Sequence, residues 1–176
     1  MVSSTPLRIV RLLPLLAMLF LAPAAFPTVG AAQGSGDGSG IRVGVSFGGT
    51  STVGLVVEFF DGTHAVEVSA GTWSFRDLGA TVVAKEYFGA GAVRPFVGLG
   101  LWLVTAAPRQ PSEQWGTAGV LHAPIGFDWR MRSHHYAGIQ LNVNRALWVR
   151  RTDPEDDLPM NRRLVPLPEA YYRWRN

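Results

Sequence analysis

Residues 94–103 read RPFVGLGLWL, and alternate positions in this stretch differ sharply in polarity. Successive side chains of a β-strand point to opposite faces, so the pattern predicts a strand with one apolar face. After residue 40 we find no sustained helical period. The aliphatic set is Val97, Leu99, Leu101 and Leu103, and the opposite set is Arg94, Phe96, Gly98, Gly100 and Trp102.

The same alternation recurs along the chain in runs bounded by Gly, Asp, Asn, Ser and Pro. Near the C-terminus, for example, Ile139, Leu141 and Val143 alternate with Gln140, Asn142 and Asn144. We predict an all-β protein, an antiparallel up-and-down β-barrel of about eight strands and transmembrane type, over residues 41–176. The predicted strands are 41–47, 52–60, 64–75, 80–88, 93–105, 115–131, 135–149 and a weaker one within 162–175.

The first 32 residues differ in composition from the rest of the chain. Arg8 and Arg11 precede an apolar run at residues 12–26, which small residues follow. This order is typical of a secretory signal peptide, and the run is shorter than the roughly 20 residues of a membrane-spanning helix. We therefore expect cleavage after Ala32, followed by a flexible Gly/Ser-rich linker at residues 33–40 (QGSGDGSG).

Composition excludes several classes of function. The signal segment holds two of the 16 basic residues and none of the 13 acidic ones, so the rest carries a net charge of +1 and no indication of nucleic-acid binding. The absence of cysteine excludes a disulfide framework, a thiolate metal site, a cysteine nucleophile and a lipoprotein anchor. Elsewhere the apolar runs are too short for a transmembrane helix, so a membrane location would require strands.

The glycines indicate which face of the barrel points inward. Alternation alone also fits a soluble barrel with an apolar interior, but most strand glycines fall in the polar set: Gly44, Gly54, Gly71, Gly98, Gly100, Gly116, Gly126 and Gly138, with Gly119 as an exception. An eight-stranded barrel is just wide enough inside for side chains, so small residues belong there. We therefore predict a narrow polar lumen and a lipid-facing band that includes Val97, Leu99, Leu101, Leu103, Ile139, Leu141 and Val143.

A hairpin at Asp61-Gly62 tests these faces, because a two-residue turn of this type determines strand register. It predicts that Glu58 pairs with Ala65 and that Val56 pairs with Glu67. The side chains that this register directs inward are Glu58, Glu67, Ser69, Gly71 and Trp73.

The predicted lumen contains charges of both signs, which persist in a buried site only when they are paired and hydrogen-bonded. Lys85 and Glu86 are neighbours, and we assign Lys85 to the lumen because a base at the lipid midplane costs roughly 2 to 4 kcal/mol. We expect an ion-pair plug, with Arg94 and Arg130 held by acids, rather than a gated solute pathway. Its members are Arg42, Glu58, Glu67, Lys85, Arg94, His122, Asp128 and Arg130.

Residues 84–102, AKEYFGAGAVRPFVGLGLW, resemble the small outer-membrane barrels of the OmpA-like and OmpX-like class. The shared features are an aromatic strand end, a short turn, an Arg-Pro-aromatic sequence and a Gly-x-Gly strand. GFDWR at residues 126–130 and GIQLNVN at 138–144 resemble the next two strands of that class. The resemblance implies a barrel that contacts outer-membrane lipid and is inserted by the outer-membrane assembly machinery.

The C-terminal segment departs from that class, whose last strand commonly ends on an aromatic residue that the assembly machinery reads. This chain ends YYRWRN at residues 171–176. Pro166 and Pro168 also interrupt the presumed last strand, where a proline cannot donate to a ladder. We therefore expect the closing strand to be short, displaced or partly replaced by a tail.

Residues that could carry chemistry give little indication of catalysis. Glu58 and Glu67 would be diagonal neighbours about 7 to 8 Å apart, but a sugar has no obvious way in. His122 and Asp128 lie on one strand about 20 Å apart, too far for a direct hydrogen bond. The histidines at 134–135 adjoin a turn, and we expect them to face solvent rather than bind metal. We predict no enzyme activity, no cofactor and no metal.

These patterns predict an exported, monomeric protein of the bacterial outer membrane with a structural or surface-interaction role. Strand parity places the connections 106–114 and 150–160 outside the cell. An alternative is a soluble, lipocalin-like periplasmic barrel that binds an apolar ligand, which requires the aliphatic set to face inward. A lipid A-modifying outer-membrane enzyme is a third hypothesis, although no His-x-Ser-Asn type cluster is present.

Overall fold

The computed structural model describes residues 38–156 and 158–175. Eight antiparallel strands form a closed up-and-down barrel in which each strand pairs with its sequence neighbours and the last pairs with the first. This confirms the predicted barrel and its strand number. The strands are β1 Gly40–Gly48, β2 Ser51–Asp61, β3 His64–Thr72, β4 Asp77–Tyr87, β5 Val93–Ala106, β6 Gly116–Arg132, β7 His135–Arg150 and β8 Val165–Arg175.

The N-terminal predictions fall mostly beyond the described part of the chain. The signal peptide at residues 1–32 and the first part of the linker, 33–37, lie outside the described residues. The linker ends earlier than predicted, because Gly40 already pairs with Phe60 as the first residue of β1. No helix in the ranges 38–156 and 158–175 is long and apolar enough to cross a membrane.

The barrel closes through a full-length β8, so the expectation of a short or displaced last strand is wrong. This strand pairs with β7 from Val165 to Trp174, and with β1 from Glu169 onward. The carbonyl of Pro168 accepts a hydrogen bond from Gly49 N, 2.8 Å away, just past the end of β1. The backbone nitrogen of a strand residue points the same way as its carbonyl. The nitrogens of Pro166 and Pro168, which carry no hydrogen to donate, therefore point to the side on which β1 has already ended. No ladder hydrogen bond is lost there, as at the edge of a sheet.

The β2–β3 hairpin has a different register from the predicted one. Its turn residues are Gly62 and Thr63, with Gly62 at a φ of 62°, and Asp61 pairs with His64. Glu58 is therefore directly opposite Glu67 rather than Ala65. The error is two residues, and because strand side chains alternate with a period of two, the assignment of faces is unchanged.

The β3–β4 connection begins earlier than predicted and turns Trp73 away from the lumen. Asp77 closes this turn, since its Oδ1 accepts a hydrogen bond from Trp73 N at 2.7 Å and its Oδ2 one from Ser74 Oγ at 2.6 Å. Phe75 adopts a φ of 58°, which ends the extended backbone. Trp73 is consequently exposed in the connection instead of pointing inward.

The two ends of the barrel differ in the length of their connections. One end, called the turn end, carries the connections β2–β3, β4–β5 and β6–β7. The opposite end, called the loop end, carries the two longest connections, at residues 107–115 and 151–164. Near the turn end the interior is filled by a mainly aromatic cluster of Phe60, Ala65, Tyr87, Phe96 and Tyr171.

Candidate functional site

The candidate site is the charged lumen, which is built around three buried acids. Glu58 and Glu67 face each other across the β2–β3 ladder, and Asp128 approaches from β6. All three are at least 95% buried. Like charges directly opposite each other destabilise a sheet, so this arrangement requires cations between the carboxylates.

Arg173 of β8 supplies the central cation. Its Nη1 lies 2.6 Å from Glu58 Oε1 and 3.0 Å from Glu67 Oε2, and its Nη2 lies 2.8 Å from Asp128 Oδ1. One guanidinium thus contacts all three acids, which its planar fork of donors permits. The side chain is fully buried, so these contacts replace the water that the charge loses.

Two further cations complete the cluster. Arg42 Nη1 lies 3.0 Å from Glu58 Oε2 and 3.4 Å from Asp128 Oδ2, and Lys85 Nζ lies 2.6 Å from Glu67 Oε2. Three acids therefore meet three bases in what we call the lumen cluster, which consists of Arg42, Glu58, Glu67, Lys85, Asp128 and Arg173.

Aromatic side chains surround the lumen cluster and contact it through ring faces and hydroxyl groups. The guanidinium of Arg42 lies 4.0 Å from the centre of the Tyr136 ring, and Lys85 Nζ lies 4.6 Å from the centre of the Phe96 ring. Tyr171 donates its hydroxyl hydrogen to Asp128 Oδ1 at 3.1 Å, and Tyr87 donates to Glu58. Rings and ion pairs together enclose the charged groups here, so that Arg42, Glu58 and Arg173 are fully buried.

Toward the loop end the lumen is polar, with amide and imidazole groups beside a single carboxylate. His122 and Asn144 are hydrogen-bonded through Nδ1 and Oδ1 at 2.7 Å. Asn142 Nδ2 donates to Glu169 Oε2 at 2.6 Å, and Lys85 Nζ reaches Gln140 Oε1 at 3.4 Å. His122 is thus in the lumen as predicted, but its partner is an amide rather than a charged residue of the lumen cluster.

The structure places two of the predicted lumen arginines outside the lumen cluster. Arg94 is buried with its guanidinium 4.7 Å from the centre of the Tyr87 ring, and within the described ranges no carboxylate lies within 4 Å of it. Its ladder partner Asp128 is already occupied by Arg42, Arg173 and Tyr171. Arg130 is exposed near the turn end of β6, so it is not buried in the lumen as predicted.

Sequence reasoning missed Arg173 and Glu169. In β8 the inward positions Glu169, Tyr171 and Arg173 alternate with outward Ala170, Tyr172 and Trp174. The alternation at residues 169–174 was therefore available as a signal. Pro166 and Pro168 obscure this alternation, because they interrupt the first part of the strand.

The predicted lipid-facing residues are on the outer face of the barrel. The most exposed are Ile139, at 65%, and Leu99, at 59%; Val97, Leu101, Leu103 and Leu141 are also exposed, and Val143 is half-buried. Gly119, the exception among the glycines, belongs to this face as well. A Cβ on Gly119 would lie 2.3 Å from Trp148 Nε1, so its lack of a side chain makes room for the indole.

The interior glycines occupy positions of close approach. A Cβ on Gly44 would lie 2.0 Å from the carbonyl oxygen of Tyr172 and 2.7 Å from Arg173 Cα. A Cβ on Gly138 would lie 2.2 Å from the Tyr171 ring. The small residues therefore allow the wall and the inward side chains to pack closely, as expected of a narrow lumen.

The histidines considered as possible metal ligands do not form a metal site in the described part of the chain. The two turn histidines are exposed, and His135 Nδ1 is hydrogen-bonded to the Tyr172 hydroxyl at 2.5 Å. Within residues 38–156 and 158–175, no three His, Asp or Glu side chains form a group that could hold a metal ion. Comparisons with protein-family models, curated proteins and solved structures gave no match.

Proposed function

We propose that this chain is an exported bacterial outer-membrane β-barrel with a structural or surface-interaction role, whose lumen is closed by the lumen cluster. The observation that carries the proposal is the inverted distribution of polarity across the wall. Charged side chains are buried inside, while aliphatic side chains such as Leu99 and Ile139 are largely exposed outside. An apolar outer face is stable where lipid surrounds it.

Aromatic residues support the same proposal. Outer-membrane barrels carry girdles of aromatic residues at both membrane interfaces. Exposed aromatic side chains lie toward the turn end at Phe59, Phe88, Trp129 and Trp174, and toward the loop end at Phe47, Trp73, Trp115 and Trp148. The resemblance to the OmpA-like and OmpX-like class points in the same direction.

The soluble, lipocalin-like alternative has less support. A lipocalin-like barrel encloses its apolar ligand within an apolar interior. The inward positions here include the six charged residues of the lumen cluster, and the aliphatic set is outside. A catalytic role as a lipid A-modifying enzyme is also not proposed, because His122 is hydrogen-bonded to an asparagine inside the barrel, away from the lipid-facing rim.

Fractionation and electrophoresis test the proposal. The protein should remain with outer membranes, and it should migrate differently on gels before and after boiling in detergent, because folded barrels resist detergent until heated. Recovery as a soluble periplasmic monomer would overturn the proposal and favour the ligand-binding alternative.

We also propose that the loop end faces the outside of the cell, because it carries the two longest connections. Trypsin added to intact cells should cut after Arg109, which is exposed in the β5–β6 connection, or near Arg150 and Arg151. Protection of these sites until the outer membrane is opened would reverse the orientation.

A further inference from the structure

The outer face of β7 changes from apolar to cationic toward the loop end. It is apolar from Ala137 through Val143 and then presents Arg145, which is exposed and pairs with exposed Leu121 of β6. Trp148 follows three residues later on the same side of the wall, packed over Gly119. Tryptophan marks the membrane–water interface of such barrels, so Arg145 lies close to the level of lipid headgroups.

An apolar groove lies on the same outer wall, nearer the turn end than Arg145. It has a volume of about 770 Å³ and extends across β5, β6, β7 and β8. Its lining includes Ile125, Ile139, Leu141 and the small residue Ala170. Leu141 precedes Arg145 by four residues, about 13 Å along the strand, so the groove and the charge form one continuous surface.

The connection that leads into β8 carries arginines and acids. The ladder between β7 and β8 ends at the pair of Asn144 and Val165. Arg162 and Arg163, both exposed, lie in the segment that precedes β8. Of the acids in the same connection, Asp156 is already paired with Arg151. The connection also contains Asp153 and Glu155, so the positive charge that we assign to the groove is that of Arg145, which the β6–β7 ladder places on the outer wall.

We propose that this surface binds one anionic lipid, with an acyl chain in the groove and a phosphate of the headgroup on Arg145. Arginine suits this role because its donors bind phosphate oxygens in pairs. The inference rests on the proposed function, since the outer wall must face lipid. To the proposed function it adds a preference for lipids with a phosphate headgroup and a single binding location for such a lipid.

Native mass spectrometry of the protein extracted from membranes in detergent tests the site. The probes are dimyristoyl phosphatidic acid, dimyristoylglycerol with the same chains but no phosphate, and inorganic phosphate. The protein should retain phosphatidic acid at one site and bind the other two probes weakly. Arg145→Gln should weaken phosphatidic acid binding about tenfold, as expected for the loss of a charge-assisted contact, and Ala170→Phe, which fills the groove, should also weaken it.

Arg132→Gln is the matched control, because Arg132 is exposed at the opposite end of the barrel and should leave binding unchanged. The inference is overturned by equal binding of phosphatidic acid and dimyristoylglycerol, by equal losses in both arginine variants, or by an Arg145→Gln protein that binds like the parent. Binding of inorganic phosphate alone, or a dimer in place of the lipid complex, would overturn it as well. Heat-dependent gel migration distinguishes the two proposals, because it depends on the barrel and not on the lipid site.

Discussion

The inner and outer faces of the barrel wall are stabilised in opposite ways. On the inner face, the buried charges of Arg173 and Glu58 are balanced by specific partners within about 3 Å. On the outer face, Leu99 and Ile139 project away from the protein and contact few of its atoms. A substitution on the inner face therefore leaves a buried charge without its partner or creates a steric clash. Replacing one apolar side chain by a smaller one on the outer face removes few stabilising contacts.

The largest effect is expected for Arg173→Leu, which leaves three buried carboxylates without their shared cation. Removing one partner of a buried ion pair costs about 3 to 5 kcal/mol. Urea unfolding of the refolded barrel in detergent measures this loss. Arg130→Leu, at the exposed rim, is the control and should cost much less; equal losses would show that the lumen cluster does not stabilise the barrel.

A charge introduced on the outer face should cause the next largest loss in the free energy of unfolding. Leu99→Arg places a base near the middle of the apolar band, which costs about 2 to 4 kcal/mol in a bilayer. The loss should appear when unfolding is measured in phospholipid vesicles. Ser112→Arg, in the exposed β5–β6 connection, should be close to neutral. Unchanged stability of Leu99→Arg in vesicles would contradict a lipid-facing outer wall.

An intermediate effect is expected for Gly44→Ala at the seam between β1 and β8. The added Cβ would meet backbone atoms of Tyr172 and Arg173, and overpacking of this kind typically costs about 1 to 3 kcal/mol. Gly91→Ala is the control, because its Cβ would have no atom closer than 3.7 Å. Urea midpoints of the two variants in detergent should separate clearly, and coincident midpoints would mean that the seam between β1 and β8 has room for a methyl group.

The smallest effect is expected for Leu99→Ala. A core Leu→Ala change costs about 2 to 5 kcal/mol, but on the proposed lipid-facing wall lipid or detergent would replace the missing contacts, so the loss should stay below about 1 kcal/mol. Phe96→Ala provides the inward comparison, since Phe96 is buried against Tyr87 at a ring separation of 5.3 Å. A larger loss for Leu99→Ala than for Phe96→Ala in urea unfolding would indicate that the aliphatic face is the core.

Which side chains point into the lumen could be predicted from the sequence, because side chains alternate between the two faces of a strand with a period of two residues. Lys85 and Glu86 are neighbours, so one of them must face outward, and the cost of a base on the lipid face assigned Lys85 to the lumen. In the structure Lys85 is buried, while Glu86 is partly exposed beside His64. The predicted faces of β2 and β3 hold although the predicted hairpin register is wrong, since a shift of two residues leaves every side chain on the same face.

The sequence by itself determined the alternation, the number of strands and the burial of charge beneath an apolar band. The tertiary structure decided which charges meet. Glu58 is opposite Glu67 because the turn falls at Gly62 and Thr63, and Arg173 joins them because β8 closes the barrel against β1. The contacts of Arg173 with Glu58 and Glu67 join residues more than 100 positions apart. They depend on closure of the barrel between its first and last strands, which no local pattern of residues specifies.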